Sequence, residues 1–284
     1  MRLGASTFVT DISIDPIELA IELEARGFES MWLAEHTHIP VSRRSPYRGG
    51  EDLPEMYWRC YDPMVALAAA AAVTDRLLLG TAVCLVAQRD PIILGKQIAC
   101  IDRLSVGRIM LGAGFGWNRE EMENHGVDPD DRWTLVRENI DAMRSLWRDD
   151  EASYSGTLVQ FEPSWCWLKP TQPSGPAVFL GGAGGPRMIR HVVDYADGWF
   201  PNHTGPDVDL ALETLRREAK LRGRDPSTVR FMVPGSADPA FLEAEAARGC
   251  ERVLLGVPSA PRDVVLRFLD RHAAVAQEVN QFDV

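Results

Sequence analysis

Residues Leu104–Asn118 read LSVGRIMLGAGFGWN. An apolar run, Arg108–Leu111, meets glycines at alternate positions, Gly112, Gly114 and Gly116, before Trp117, Asn118 and an acidic helix start at Arg119–Met122. This predicts a strand whose carboxyl end opens into a backbone-exposed loop and then a helix. Such a loop offers N–H groups with no side chains in the way, and the helix start adds partial positive charge. Both suit an anionic group such as a phosphate. The spacing is G-x-G-x-G, not the G-x-G-x-x-G of dinucleotide folds, and no acidic ribose ligand follows at the right distance.

The flanking chain repeats the theme. Arg2–Val9 reads as a strand, and Asp15-Pro16 starts a helix with Asp as N-cap and Pro at the first helical position. Ile17, Ala20 and Ile21 are expected to face inward, and Gly27 ends the helix. Ser30–Ala34 is a second strand, ending at Glu35-His36. Asp62-Pro63 and Asp90-Pro91 start further helices, with the apolar strand Leu77–Leu85 between them. A strand apolar on both faces implies a covered parallel sheet. Past the quoted stretch come a helix over Arg132–Trp147 and a hairpin excursion over Tyr154–Leu168. The strand Ala177–Leu180 then runs into a second glycine loop, Gly181-Gly182-Ala183-Gly184-Gly185-Pro186. Short strands at Gly198–Phe200, Val229–Val233 and Arg252–Leu255 alternate with helices to Ala276.

Eight strands alternate with helices and no linker divides them. The expected fold is α/β, a closed (β/α)8 TIM barrel in one domain, 1–284, with an irregular insertion after strand 2 and a hairpin excursion before strand 5. An open doubly wound sheet is the alternative. Active sites of the barrel lie at the carboxyl ends of its strands. Here those ends carry Glu35-His36, Thr81–Leu85, Gly112–Asn118 and Gly181–Gly185. The insertion, Thr37–Tyr61, holds Tyr47, Tyr57 and Trp58, and a loop this long in a compact domain is usually a lid or a binding loop.

Composition excludes several classes. The chain is 45% hydrophobic and 25% charged, as globular domains are. A net charge of −11 argues against nucleic-acid binding. Cys60, Cys84, Cys100, Cys166 and Cys250 are scattered with no metal-type cluster, so no metal is expected. Free thiols suit a reducing cytoplasm, with Cys84 and Cys100 as small core residues. The longest apolar stretch, Met64–Val73, is too short to span a membrane, so no membrane partner is expected.

Several stretches together resemble the luciferase-like flavin and deazaflavin oxidoreductases. They are GFESMWLAEH at 27–36, LLLGTAVCL at 77–85, Arg89-Asp90-Pro91, KQIACIDRLSVGRIMLGAGFGWNREEM at 96–122, and the GGAGGP loop. The form RLSVGRIMLGAGFGWNREE most resembles the branch that uses coenzyme F420. The resemblance implies a deazaflavin across the barrel mouth, with a non-proline cis peptide joining Ala82 and Val83 against its ring. Leu85 is expected beside it. Phosphate contacts are implied at Phe115, Gly116, Gly184, Gly185, Arg187 and Met188. It also implies hydride transfer to or from a small-molecule substrate, and a homodimer.

Histidine exchanges protons near neutral pH. His36, at a strand end, matches a histidine that manages the proton in related enzymes. Glu35 is expected to orient His36 or touch the cofactor. His38, His125 and His203 are weaker candidates; Glu120 and Glu121 are candidate acids, although glutamates in a first helical turn are common for dipole reasons alone. Trp117 stands where the family's sugar-phosphate dehydrogenases carry an acid. With Trp58 and the loop aromatics, it points to an apolar or flat substrate instead. An FMN-dependent monooxygenase using oxygen is the alternative activity. A non-catalytic binding barrel and a phosphosugar isomerase are weaker ones.

Overall fold

Aspartate followed by proline marks the start of one helix after another, and the computed structural model, which describes residues 1–47, 49–50 and 52–280, shows why. Asp15, Asp62, Asp90 and Asp238 each accept first-turn N–H groups, and the proline behind each occupies a position that has no N–H to satisfy. In chain order the elements are β1 (Arg2–Thr7), α1 (Pro16–Ala25), β2 (Ser30–Leu33), α2 (Met56–Arg59), α3 (Pro63–Val73), β3 (Leu78–Thr81) and β4 (Cys84–Leu85). Then follow α4 (Pro91–Leu104), β5 (Ile109–Gly114), α5 (Arg119–Asn124), α6 (Arg132–Arg148), β6 (Ala152–Ser155) and β7 (Gln160–Ser164). The chain continues through β8 (Val178–Gly181), α7 (Pro186–Tyr195), β9 (Gly198–Phe200), α8 (Pro206–Leu221), β10 (Arg230–Gly235), α9 (Pro239–Arg248), β11 (Arg252–Gly256) and α10 (Arg262–Val279).

The strands run β3-β2-β1-β11-β10-β9-β8-β5, all parallel, and β3 pairs with β5 to close the ring. This is an eight-stranded TIM barrel with an outer layer of helices. β4 continues the third barrel strand along β5, pairing Cys84 with Ala113. β6 and β7 form the expected antiparallel hairpin apart from the barrel sheet.

Two cores result. Trp32, Met110, Phe179, Phe200, Met232 and Leu254 pack together inside the barrel. The larger core lies between strands and helices. At the amino end of the barrel Arg252, 2% exposed, is held by the Glu29 carboxylate through Nε at 2.7 Å and Nη2 at 2.5 Å. The expected inward face of α1 needs correction. Leu19, Ala20 and Leu23 are buried, whereas Ile17 and Ile21 are 40% and 45% exposed. Two isoleucines four apart mark a helix face without saying which face meets the barrel. Cys84 is a core residue as expected; Cys100 is only half-buried. Among the described residues no helix is long and apolar enough to cross a membrane.

Candidate active site

Three of the loop-forming glycines do something other than what their spacing suggested. Gly112 and Gly114 lie inside β5 and are buried. A Cβ on Gly112 would stand 1.9 Å from the Thr81 carbonyl oxygen. One on Gly114 would stand 2.3 Å from Val83 Cγ2, and one on Gly181 2.5 Å from Val83 Cγ1. These glycines let the 81–83 segment lie across the neighbouring strands β5 and β8. The Ala82–Val83 peptide is cis. Ala82 and Val83 are half-buried against the inner core, so Val83 forms an apolar floor at the carboxyl end of the barrel. The turns that follow β5 and β8 start from adjacent parallel strands and therefore share one rim.

At the same carboxyl end, just past the end of β2, whose Leu33 pairs with Thr81 of β3, stands His36, 7% exposed. Its Nδ1 is 2.7 Å from Oε2 of Glu121, which is fully buried at the start of α5. The indole Nε1–H of Trp117 donates to His36 Nε2 at 3.3 Å. The rings of Tyr57 and Trp117 lie 5.3 Å and 5.7 Å from the imidazole, and Tyr47 packs on both Tyr57 and Trp117. Phe8 closes the group against Tyr57 at 4.8 Å. Burial pushes the Tyr57 hydroxyl up, so it stays neutral and donates to Tyr47 at 3.5 Å. The Cys60 thiol is also pushed up by burial and bonds the His36 backbone on both sides. The insertion is thus folded over His36, its α2 supplying Tyr57.

Of the two roles expected of Glu35, orienting His36 is not the one its contacts serve. Its carboxylate accepts the Leu85 N–H and the Arg89 Nε–H, each at 2.7 Å, and Arg89 also reaches Asp62. Adjacent strand-end side chains point to opposite faces, so Glu35 turns to β4 while His36 turns to the pocket. The Leu85 N–H is therefore taken. Trp58 stands 47% exposed, and among the described residues its ring is not one of this cluster; its neighbour Tyr57 is. Dipole reasons alone do not account for Glu120 and Glu121, since both are buried. Glu120 accepts the Ser45 N–H at 2.9 Å and the Ser45 hydroxyl. Burial opposes its charge, but these bonds outweigh burial and pull it down to about 2. His38 and His125 both meet the Thr37 hydroxyl, at 2.9 and 2.7 Å, and His203 pairs with Asp207 outside this group.

The two rim turns carry the remaining expected residues. Gly116 has φ +73°, open to glycine without strain. Beneath it the Gln88 side-chain amide is buried, and neither its nitrogen nor its oxygen finds a partner among the described residues. Phe115 stacks on Trp133 at 3.9 Å, and the Arg187 guanidinium lies over that ring at 4.5 Å. Gly185 caps α7 without a side-chain bond, unlike the four aspartate caps. The first-turn N–H groups of Arg187 and Met188 are thus left unclaimed by a capping side chain. Gly184 packs against Trp199 and Ala211.

A model of the luciferase-like monooxygenase family matches residues 15–281. The chain belongs to that family. An uncharacterised protein of Mycobacterium tuberculosis is 41% identical over 279 residues, covering 96% of this chain and 98% of the relative. Among solved structures, a monooxygenase from Streptomyces bottropensis superposes with a TM-score of 0.81 at 19% identity, over 98% of this chain and 99% of that one. An F420-dependent secondary alcohol dehydrogenase, solved with an F420–acetone adduct, superposes with a TM-score of 0.75 at 18% identity over the same shares. At such identities these two likenesses speak for the luciferase-like fold alone.

Proposed function

We propose that this member of the luciferase-like oxidoreductases is F420-dependent, and that it transfers a hydride between a deazaflavin and a small apolar or aromatic organic substrate. The observation that carries the reading is the juxtaposition of an apolar floor, Val83 laid over Gly114 and Gly181, with His36 in an aromatic box at the same end of the barrel. A planar ring fits such a floor, and a substrate stacked between ring and box meets the His36 imidazole.

The rim suits the anionic part of such a cofactor. The α7 start with Gly184, Gly185, Arg187 and Met188, and the β5 end with Phe115 and Gly116, would hold it through N–H groups and one guanidinium. The orphaned Gln88 amide supports a ligand there as well, because a buried amide left unbonded costs about 1–3 kcal/mol. When bound, a deazaflavin supplies hydride transfer and reacts poorly with oxygen. The protein then has to orient the substrate, exclude water and manage one proton. Tyr47, Tyr57 and Trp117 line the substrate side and shed water, and His36 Nε2 takes or gives the proton. The proposed setting is a cytoplasmic homodimer.

A second reading, an FMN-dependent monooxygenase using oxygen, draws on the monooxygenase among the similar folds. The test is to mix the protein with oxidised F420 and a panel of small alcohols, or with reduced F420 and the corresponding ketones, and follow the deazaflavin absorbance. Turnover abolished by His36→Ala supports the reading. Oxygen-dependent product formation with reduced FMN, and none with F420, would overturn it.

A further inference from the structure

His36 has two ring nitrogens, and each has a partner that works in one direction only. A carboxylate accepts and cannot donate; an indole nitrogen donates and cannot accept. Nδ1, 2.7 Å from Glu121 Oε2, therefore carries the hydrogen, and Nε2, 3.3 Å from Trp117 Nε1, presents its lone pair. Both contacts require the same tautomer.

Glu121 is itself fixed. It is fully buried, and its second oxygen accepts the Thr37 backbone N–H at 3.1 Å. Its own backbone N–H donates to the Asn118 side chain at 3.2 Å, pinning the helix start that carries it. Among the described residues, the other polar groups near His36 do not compete for the ring. The Cys60 thiol bonds the His36 backbone, Glu35 is committed to Leu85 and Arg89, and the Tyr57 hydroxyl meets Tyr47.

The geometry points to Glu121 as a positioning residue that keeps the His36 proton on Nδ1, so that Nε2 faces the pocket as a proton acceptor. The Trp117 N–H holds that acceptor until a ligand group replaces it. A proton taken up at Nε2 turns the ring into a cation beside the Glu121 carboxylate, and the same proton leaves from Nε2 in the reverse direction. This inference rests on the role given to His36 above, but the tautomer can be read without any reaction.

Glu121→Gln tests it. The Thr37 N–H still needs an acceptor, so the amide oxygen turns to Thr37 and the amide NH2 to His36 Nδ1. An NH2 there can only donate, which forces the hydrogen onto Nε2. In protein labelled with 15N-histidine, His36, assigned by its loss in His36→Ala, should show a protonated Nδ1 and a bare Nε2. Glu121→Gln should exchange the two, and Glu121→Asp should restore the original pattern.

With F420 and an accepted substrate, Glu121→Gln should lower kcat roughly 10²–10⁴-fold, with KM moving only a few-fold. Glu121→Asp should recover most of the loss. A hydrogen on Nε2 in the unaltered protein would overturn the assignment. So would a Glu121→Gln variant that keeps both the nitrogen pattern and kcat. If neither F420 nor FMN bound, the proposed function would fall while the nitrogen spectrum still decided the claim about Glu121.

Discussion

Val83 as a floor held by two glycines can be broken and mended within the same pair of residues. Gly114→Ala places a methyl 2.3 Å from Val83 Cγ2 and 3.2 Å from Val83 Cβ. Valine cannot turn away, because its other methyl already rests on Gly181 and its χ1 is restricted. Overpacking of this kind costs about 1–3 kcal/mol. Taking about 2 kcal/mol, and an unfolding entropy of about 0.6 kcal/mol/K for 284 residues, Tm should fall by roughly 3–4 °C. Val83→Ala alone removes two methyl groups and should cost about 1–2 kcal/mol. In the double variant the offending Cγ2 is gone, and the nearest atoms are Val83 Cβ at 3.2 Å and the Cys84 oxygen at 3.6 Å. The double variant should then be no less stable than Val83→Ala, a coupling of about 2 kcal/mol between the sites. Denaturant unfolding of the four proteins measures it. Strictly additive losses, or a Gly114→Ala protein as stable as its parent, would refute the packing argument.

Two further outcomes follow from titratable groups packed near the rim. Burial, reinforced by Arg187 and Arg137, pulls His191 down to about 4. An unfolded histidine protonates near 6.5. The unfolded chain thus takes up a proton the folded one resists, and stability present above pH 6.5 is lost as the pH falls toward 4. The ring is partly exposed, so the loss is about 1–2 kcal/mol, and His191→Gln should flatten the unfolding free energy over that window; an unchanged slope would count against it. Ser45→Ala removes the hydroxyl that bonds the buried Glu120 carboxylate, at a cost of about 2 kcal/mol. Amide exchange across residues 40–47 should quicken roughly 30-fold while β1 is unaffected, and equal rates in both proteins would contradict the role of that bond.

Periodicity and punctuation made the barrel legible. The Asp-Pro pairs gave helix starts that the backbone repeats, and the doubly apolar run at Leu77–Leu85 named a covered strand. The hairpin expected over Tyr154–Leu168 lies at Ala152–Ser164. What local sequence could not convey was which side chains meet across elements. Gly112, Gly114 and Gly181 read as a flexible phosphate grip because glycine permits both a turn and a close approach; the neighbour that needs the space, Val83, lies on another strand. Asn118 and Glu121 have the spacing of a capping box, in which the glutamate bends back to its own helix. Here Glu121 reaches forward to His36 and Thr37, residues some 85 positions earlier. At Tyr57-Trp58 the sequence singles out Trp58, whereas the ring packed on His36 is Tyr57, since a four-residue helix gives no periodicity from which to choose the inward face.

The most direct test of the central claim is an equilibrium titration of the protein with each cofactor, followed by quenching of the ligand's fluorescence. The account predicts saturable binding of F420 that is weakened by Val83→Asp in the floor and by Arg187→Glu at the rim, with FMN bound more weakly than F420. Tighter binding of FMN, or no binding of either ring system, would contradict it.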